Sequence, residues 1–301
     1  LNRGYELEIT ATPVLTRDFR WNTTLTWSKN DNKILSLAEG ADENQVISTV
    51  GTASIIGRVG GTTGDLWGYK LVRDPEGNVI IGDNGLPEQA DEIEYVGTAY
   101  ADWKAGWYNE FSYKGFKLGI LLDGQVGGTI YSMSFHKMME QGKLTQSLNG
   151  RLPGTEYYMD ANDPRIAAAG YTPQSGMYMI APGVVRNDDG TFSPNTKVVT
   201  IESFYKEYYR RANVETNSFD ASFLKIREIR LEYELPKKVL EKSPFSKASI
   251  AVYGRNLWCF TDYPLFDPES VALDGSSMVS GIETGSLPTT RTFGFNLNLT
   301  F

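Results

Sequence analysis

Hydrophobic and polar residues alternate through the last segment of the chain, RTFGFNLNLTF, which covers residues 291–301. Odd-numbered positions from Phe293 to Phe301 carry Phe or Leu, whereas the even-numbered positions between them carry Gly, Asn or Thr. Successive side chains of a strand point to opposite faces, so the pattern predicts a strand with one apolar and one polar face. Such a strand fits either a soluble sheet that covers a core or a membrane barrel whose apolar face meets lipid.

The same period of two recurs in seven segments, each of which is predicted as a strand. The segments lie near residues 3–13, 18–29, 104–113, 116–127, 218–235, 246–258 and 289–301. In the fifth segment the apolar positions change parity between Lys225 and Glu228, which predicts a β-bulge. Lys114 and Gly115 separate the third and fourth segments and predict a tight hairpin turn.

The connections between these segments alternate in length. Short links follow the first, third and fifth segments, whereas long stretches cover about residues 30–103, 128–217 and 259–288. Within the second stretch, residues 134–144 and 201–212 are predicted as short helices. Membrane barrels have short periplasmic turns at one rim and long external loops at the other, and loops of this length are usually functional.

The acidic residues of the predicted strands support the same architecture, because they fall opposite the apolar rows. These residues are Glu6, Glu8, Glu110, Asp123, Glu232 and Glu234. A carboxylate that faces lipid costs kilocalories near the bilayer centre, whereas one that faces an aqueous lumen costs little. We therefore predict an all-β fold, namely a segment of a large antiparallel transmembrane β-barrel with long extracellular loops that contain short helices.

The odd number of strands predicts that the barrel continues upstream. The last strand follows a long loop and ends at the rim with short turns, so the C-terminus is expected in the periplasm. Bacterial single-chain barrels have an even number of strands with both ends on one side. We therefore expect at least one further strand before Leu1, and the lack of an initial Met or a signal peptide agrees with that expectation.

Composition narrows the possible functions. The net charge is −8 and the isoelectric point is near 4.9, so no basic stripe is available for nucleic acid. Mean hydropathy is −0.33, and no run approaches the roughly 18 apolar residues of a spanning helix. Cys259 is the one cysteine, which excludes an internal disulfide framework and a cysteine-based metal site.

Five segments resemble a known protein family in their order and spacing. They are NRGYELEITATPV, YVGTAYADWKAGWYNEFSYKGFKLGILLDGQVGG, SFLKIREIRLEYELPKKVL, IAVYGRNLWCFTDYPLFDPE and TTRTFGFNLNLTF. They are similar to the C-terminal part of the SusC/RagA-type TonB-dependent outer-membrane transporters of Bacteroidota. The resemblance reaches both ends of the chain and is weakest in the long loops.

The resemblance implies that residues 1–301 are the C-terminal portion of a TonB-dependent receptor barrel of 22 strands, without the plug and N-terminal domains. Such a transporter lies in the cell outer membrane, in contact with its lipid, and imports nutrients such as oligosaccharides or peptides. A SusD-like lipoprotein caps its external face. The TonB-ExbB-ExbD complex acts through an N-terminal part that this segment lacks. No nucleic acid is expected as a partner.

No catalytic constellation is visible, so we predict that the chain is not an enzyme, and we predict no catalytic residue, cofactor or metal ion. His136 is the one histidine and is expected at the surface of an external loop, and Cys259 is expected as a buried or interfacial thiol without an activating base. The oxygen-rich stretches 160–165 and 187–190 lack the spacing of a calcium loop and predict turns. The glycine-rich stretch 57–64 lacks the lysine of a phosphate-binding loop.

Aromatic residues of the long loops are the candidates for ligand or partner contact. They are Trp67, Tyr69, Tyr157, Tyr158, Tyr171 and Tyr178. Aromatic rings stack on sugars and pack on capping proteins, although they also pack long loops internally. By the family resemblance, Phe301 is the terminal aromatic residue that the barrel-assembly machinery recognises, and it also fits a periplasmic aromatic girdle.

Two other classes of protein are consistent with parts of the sequence. A secreted β-rich carbohydrate-binding or adhesion module would be soluble without detergent and would bury the apolar row against a second sheet. A soluble glycoside-acting enzyme would require two carboxylates across a cleft, and the sequence nominates no such pair. The burial of the apolar row therefore discriminates between the transporter and the secreted module.

Overall fold

One large antiparallel sheet organises the molecule. The computed structural model describes residues 1–269, 272–274 and 277–301. Seven strands pair in chain order, and each of the five inner strands pairs with the strand before it and the strand after it. They are β1 (Asn2–Leu15), β2 (Phe19–Asn32), β3 (Trp103–Tyr113), β4 (Phe116–Val126), β5 (Phe223–Glu234), β6 (Lys247–Phe260) and β7 (Thr292–Thr300). Among the described residues the sheet is open, since β1 and β7 each pair with one neighbour.

The register of the sheet places apolar residues beside apolar residues and polar beside polar. One row of register partners runs through Trp21, Phe111, Leu118, Leu231, Val252 and Phe295. The next row, on the opposite face, runs through Arg20, Ser112, Lys117, Glu232, Ala251 and Asn296. The alternation seen in single segments therefore combines into two continuous faces, one apolar and one largely polar.

The apolar face is open to its surroundings. Phe295 is 76% exposed, Val252 55% and Leu231 44%. No second layer covers this row in the part of the chain that the structure describes. In water, each large apolar side chain left exposed forgoes about 1.5–3 kcal/mol of burial, whereas contact with lipid removes that deficit. The open face therefore fits a membrane wall, and it does not meet the requirement of the secreted module.

The predicted β-bulge is confirmed at Arg227. The register between β5 and β4 shifts between Ile226 and Glu228, so Arg227 is an extra residue. The insertion returns Ile226 to the same face as Ile229, although their numbers differ in parity. The shift is also present against β6, where Asn256 has a positive φ of 52°. The bulge thus keeps the apolar face continuous along β5.

The segment predicted as one strand over residues 218–235 is divided in the structure. Ser218–Asp220 pairs with Thr129–Ser132, whereas β5 begins only after a turn. At that turn the backbone amide of Ser222 donates to the carboxylate of Asp220 at 2.6 Å. Hydrophobic alternation continues through the turn, which explains why the sequence pattern did not reveal it.

The connections form two groups at the two ends of the strands. Short connections cover residues 16–18, 114–115 and 235–246. The long connections are here named the first loop (33–102), the second loop (127–222) and the third loop (261–291). Lys114 and Gly115 have φ values of 45° and 88°, the left-handed pair that a type I′ hairpin requires.

Within the described residues, four short α-helices lie in the connections. They are α1 (Met133–Glu140), α2 (Pro164–Ala168) and α3 (Ile201–Tyr208) in the second loop, and α4 (Lys237–Leu240) in the last short connection. Ser132 caps α1 by accepting from the amide of Phe135 at 3.0 Å, and Thr200 caps α3 by accepting from Ser203 at 3.1 Å. None of the helices within the described residues is long and apolar enough to cross a membrane.

Short strands add several small sheets to the loops. Gln45–Val50, Ala53–Gly57, Asp65–Gly68 and Glu94–Thr98 form a four-stranded sheet in the first loop. Thr129–Ser132, Ser218–Asp220 and Ile282–Glu283 form a three-stranded sheet that joins the second and third loops. Pairs of strands are formed by Tyr178–Ile180 with Val198–Thr200, Val184–Arg186 with Phe192–Pro194, and Ala272–Asp274 with Ser277–Val279.

The buried apolar clusters of the molecule lie mainly in the loops. One cluster combines Ala53 and Leu66 of the first loop, Tyr131 and Val214 of the second, and Ile282 of the third. These five residues are fully buried. The three loops therefore pack on one another as a single body, which we call the loop cap.

Candidate functional site

The polar face of the sheet carries paired charges. The ammonium group of Lys117 lies 4.0 Å from the carboxylate of Glu232, which also accepts from Arg230 at 2.6 Å. Arg255 donates to the carboxylate of Glu228 at 2.6 Å. Charged pairs of this kind are stable beside water and costly beside lipid, so this face fits the wall of an aqueous lumen.

A cluster of five charged residues joins this wall to the third loop. The Lys225 cluster comprises Lys225, Arg227, Asp123, Asp267 and Glu269. Lys225 lies 2.6 Å from Asp267 and is also paired with Glu269. Arg227, the bulged residue, lies 2.5 Å from Asp123 and 2.6 Å from Glu269. The third loop is therefore fastened to two adjacent strands on the polar side of the sheet.

Burial makes the centre of this cluster sensitive to the loss of a partner. Lys225 and Asp267 are each 3% exposed. Burial has the largest single effect on the pKa of Asp267 and raises it, but the hydrogen bond and charge of Lys225, together with the hydrogen bond from the Glu269 amide, leave that pKa below its ordinary value. The carboxylate is therefore ionised, and Lys225 is the cation that is paired with it, while the amide of Glu269 donates to it at 2.9 Å.

A small pocket adjoins the Lys225 cluster. It has a volume of about 290 Å³ and is lined by Lys225, Asn256, Trp258, Asp267 and Arg291. The guanidinium of Arg291 lies 5.4 Å from the centroid of the Trp258 ring. The pocket lies where β6 continues beyond its pairing with β7, since that pairing ends at Arg255.

The six predicted contact residues fall into separate environments of the loop cap. Trp67 and Tyr69 lie in the first loop, and Tyr157, Tyr158, Tyr171 and Tyr178 lie in the second. Tyr178 is 9% exposed, and the other five are half-buried. Their surroundings therefore decide which of them present a ring to a ligand.

Trp67 packs against two residues of the first loop. Its ring packs edge-on against Tyr95 at a centroid distance of 6.1 Å, and the guanidinium of Arg58 lies 5.5 Å from its centroid. The indole N–H is buried and has no hydrogen-bond partner among the described residues. An unpartnered indole donor is unusual, because buried tryptophans normally find an acceptor.

The tyrosines of the second loop pack mainly within the loop. Tyr171 and Tyr178 are brought together with ring centroids 4.8 Å apart, and the hydroxyl of Tyr178 donates to the carbonyl of Thr172 at 2.9 Å. Tyr157 packs against the apolar cluster around α1 and α3, and Tyr158 follows it in the chain. These contacts favour the alternative that loop aromatics stabilise the loops, while the contact roles remain predictions.

The expected surface position of His136 is wrong. The residue is 1% exposed, because the face of α1 that carries it packs against the C-terminal end of α3. Its Nδ1 donates to the carbonyl of Tyr209 at 2.6 Å, which leaves Nε2 as an unprotonated acceptor. Nε2 lies 3.7 Å from the carboxylate of Glu140. Burial lowers the pKa of His136, so the imidazole is neutral.

The oxygen-rich stretch 187–190 forms a turn, as the sequence predicts, and so does the first part of the stretch 160–165, whose last two residues begin α2. The carboxylate of Asp160 accepts from the amide of Asn162 at 2.9 Å, and that of Asp189 accepts from Thr191 at 2.9 Å. Asp163 caps α2, and hydrogen bonds from Arg165 lower its pKa to about 2. Within residues 1–269, 272–274 and 277–301, no three His, Cys, Asp or Glu side chains are placed to hold a metal ion together.

Phe301 lies just beyond the end of β7. Its side chain is 83% exposed, and its ring lies 5.0 Å from that of Phe245 in the last short connection. The ring is therefore accessible at the rim that carries the short turns. Its role in barrel assembly remains a prediction.

Sequence reasoning missed the Lys225 cluster. It also missed Arg151, a half-buried arginine of the second loop whose guanidinium has no ion pair or hydrogen bond within the described residues. The two halves of the cluster lie in SFLKIREIRLEYELPKKVL and FTDYPLFDPE, both within the family-like segments. The alternating charges of the first segment marked a polar face, but the partners lie 42 residues away in a loop. No local spacing rule reports such a contact. Arg151 carries no distinctive pattern in the sequence.

Comparisons with known proteins identify relatives with similar sequences. No protein-family model matches the chain. TonB-dependent receptor P3 of Formosa agariphila is 26% identical over 328 residues, which cover 100% of this chain and 28% of that receptor. TonB-dependent receptor P26 of the same organism is 24% identical over 326 residues, which cover 100% of this chain and 29% of that receptor. The chain thus spans less than a third of the curated relatives it matches.

Solved structures agree in fold. The RagAB peptide importer in its closed-closed state matches with a TM-score of 0.62 and 15% identity, over 100% of this chain and 29% of that chain. A second structure of the RagAB peptide transporter matches with a TM-score of 0.60 and 16% identity, over 100% and 29%. At this level of identity the likeness concerns the fold alone.

The sequence patterns, the observed fold and the comparisons therefore agree on the fold class. The two-faced sheet and the long loops agree with the predicted fold class, a segment of a large antiparallel transmembrane barrel. The matched proteins are outer-membrane proteins, which confirms the predicted location. The predicted resemblance is confirmed as well: over its whole length the chain is similar to the C-terminal part of SusC/RagA-type TonB-dependent receptors.

Proposed function

We propose that the protein to which this segment belongs imports a nutrient across the outer membrane by a TonB-dependent mechanism. The segment supplies part of the barrel wall and three of the external loops. It performs no covalent chemistry. The wall holds the loops in fixed positions, and the loops provide contacts that select the ligand.

The observation that carries this proposal is the division of the sheet into two continuous faces. An apolar face with Phe295 at 76% exposure fits a surrounding that is itself apolar. The opposite face carries the pairs Lys117–Glu232 and Arg255–Glu228, which fit contact with water. A wall between lipid and water is what a barrel transporter requires.

The nutrient is an oligosaccharide or a peptide, and a SusD-like surface lipoprotein contacts the loop cap. The size of the three loops supports contact with large ligands. The similarity in fold to the RagAB peptide importer is compatible with a peptide. Trp67, whose half-buried ring lies beside the guanidinium of Arg58, is the first candidate among the six aromatic residues.

Energy coupling is assigned to parts of the protein outside this segment. The TonB-ExbB-ExbD complex acts on an N-terminal plug, and movement of the plug opens the path beside the polar face of the sheet. In this arrangement the wall remains rigid while the plug moves.

Fractionation of cells tests the location and the barrel together. The full-length protein, expressed with its native upstream region, is expected in the outer membrane as a band whose mobility changes on heating. Recovery of the mature protein in the soluble fraction would overturn the proposal and favour a secreted binding module.

Uptake measurements test the activity. A deletion strain is grown on single glycans and on peptide mixtures, with and without functional TonB. A growth defect that is restored by the gene only when TonB is functional supports import. Restoration without TonB contradicts energy coupling, and equal growth on every substrate contradicts import of a nutrient from this panel.

A further inference from the structure

A pocket of about 680 Å³ lies in the second loop between α1 and the beginning of α3. The residues that matter for its chemistry are Lys137, Gln141, Arg151, Met177, Glu202 and Lys206. Met177 contributes apolar surface, and the other residues contribute charges and an amide. The pocket is therefore mixed in character, as binding sites for polar ligands usually are.

Arg151 differs from the other cations of this pocket. Lys206 lies 2.5 Å from Glu202, and Lys137 lies 3.1 Å from Glu140. The guanidinium of Arg151 has neither an ion pair nor a hydrogen bond within the described part of the chain, although the residue is half-buried. A planar group with five donors is thus left without an acceptor in a protein of net charge −8.

The backbone around Arg151 positions the guanidinium without neutralising it. Gly142 has a φ of 67°, and a Cβ at that residue would lie 2.8 Å from both terminal nitrogens of Arg151. A Cβ at Gly176 would overlap the carbonyl oxygen of Arg151. Glycine at these two positions lets the chain approach Arg151 closely from two sides.

The charge balance of the pocket favours an anionic group. Three cations, Lys137, Arg151 and Lys206, face two carboxylates, Glu140 and Glu202, so one positive charge is in excess. A planar carboxylate also matches the fork geometry of a guanidinium.

We propose that the pocket at Arg151 binds a carboxylate group of the imported ligand. Arg151 receives the two oxygens in a bidentate contact, Gln141 offers an amide donor, and Met177 packs against the adjoining apolar part. The inference rests on the proposed function and names the chemistry of its ligand. The carboxylate comes from the C-terminus of a peptide or from an acidic sugar.

Binding measurements on the full-length receptor in detergent test the inference with two matched pairs of probes. One pair is a short oligopeptide with a free C-terminal carboxylate and the same peptide with an amidated C-terminus. The other pair is an oligogalacturonate and its methyl ester. The wild type is expected to prefer the carboxylate form of at least one pair, and the preferred pair identifies the source of the group.

The substitution Arg151→Gln is expected to weaken binding of that carboxylate form about tenfold to a hundredfold and to leave the blocked form unchanged. Arg151→Lys keeps the charge but loses the fork, so an intermediate loss is expected. Arg151→Lys also replaces Arg151→Gln as the test variant if the latter is not recovered as a folded, heat-modifiable band. Arg186→Gln is the matched control, because Arg186 is an exposed arginine of the same loop that lies 3.9 Å from Glu88.

Two outcomes overturn the inference. One is a wild type that prefers neither carboxylate form. The other is an undiminished preference in both Arg151 variants. Uptake by cells is measured separately from binding. If the receptor imports a nutrient but binds the carboxylate and blocked forms equally well, only this inference is contradicted. If cells with the wild-type receptor take up none of the tested substrates, the proposed function is contradicted and the binding result is unaffected.

Discussion

The sheet and the loop cap achieve order by different means. In the sheet, neighbours in space are neighbours in the chain, and each strand needs only to keep its apolar and polar residues in alternate positions. In the loop cap, Ala53, Tyr131 and Ile282 come from three different loops and meet in one cluster. The sheet is therefore organised by a local pattern, and the cap by contacts between distant segments.

Buried polar groups show the same difference. In the loop cap, Glu283 is fully buried and accepts from the hydroxyls of Ser132 and Ser134 at 2.6 and 2.7 Å. The amide of Ser286 donates to the same carboxylate at 2.8 Å. Such a group is stable only while all its donors are present, whereas the charges on the polar face of the sheet retain water as an alternative. Single substitutions should therefore affect the cap more sharply than the lumen wall.

The largest effect is expected where the two regions meet, at Lys225. Lys225→Met leaves Asp267 buried without its counter-charge, which should destabilise the docking of the third loop by about 3–5 kcal/mol. Native-state proteolysis of the third loop measures the change as a higher rate of cleavage.

The double variant Lys225→Met with Asp267→Leu serves as the control for this effect. Apolar replacement of both partners should restore most of the protection, since no uncompensated buried charge remains. If the single variant is cleaved no faster than the wild type, the Lys225 cluster does not hold the loop.

Adjacent residues of β7 test the two faces of the sheet. Phe295→Arg places a cation on the lipid side and is expected to cost about 2–4 kcal/mol near the membrane midplane. Asn296→Arg places the same group on the lumen side and should cost less than about 1 kcal/mol. The amount of heat-modifiable protein in the outer membrane reports both. Equal losses for the two variants would contradict the assignment of the faces.

A smaller effect is expected from the titration of His136. Its folded pKa lies below its ordinary value, so the unfolded chain binds the proton more readily. Stability of the α1–α3 contact should therefore be complete above about pH 6.5 and should fall as the pH decreases below that value. Glu140 faces the ring and opposes this loss, whereas Lys137 and Arg211 reinforce it.

Proteolysis of the second loop between pH 5 and pH 8 measures this dependence. His136→Gln retains a donor for the Tyr209 carbonyl and should remove the step near pH 6.5. A step of unchanged size in that variant would assign the pH dependence to other groups.

The smallest change in stability is expected from Trp67→Phe. The substitution keeps an aromatic ring against Tyr95 and removes an indole N–H that bonds to no described residue, so less than about 1 kcal/mol should be lost. Uptake should nevertheless fall if the accessible part of the indole ring, which is larger than a phenyl ring, contacts the ligand. Tyr178→Phe is the comparison, because its hydroxyl already bonds within the loop. Unchanged uptake in the Trp67 variant would remove this residue from the ligand contacts.

The sheet was predictable because one short-range rule governs it. The alternation around Phe295 and Leu118 identifies the strands, and the change of parity near Arg227 identifies the bulge from the sequence alone. The turn at Ser222 escapes this rule because apolar alternation continues across it. Its evidence lies in a hydrogen bond between Ser222 and Asp220, which periodicity does not report.

The loop cap was much less predictable. The sequence predicted α1 and α3 but not α2 or α4. The burial of His136 depends on its contact with Tyr209, 73 residues away. Lys225 and Asp267 are separated by 42 residues and belong to different kinds of structure. Contacts of this range depend on how the loops fold together, and a single sequence contains no rule of spacing for them.

The pairing of β4 with β5 gives the second loop a fixed base. Gln125 and Phe223 are register partners, so both ends of that loop are held side by side whatever lies between them. For a flexible loop anchored in this way, each doubling of length adds only about 0.6 kcal/mol of closure entropy. Evolution can therefore exchange or enlarge the segment that selects a ligand while the wall of the barrel keeps its geometry. A receptor lineage can therefore change its ligand specificity through changes within one loop.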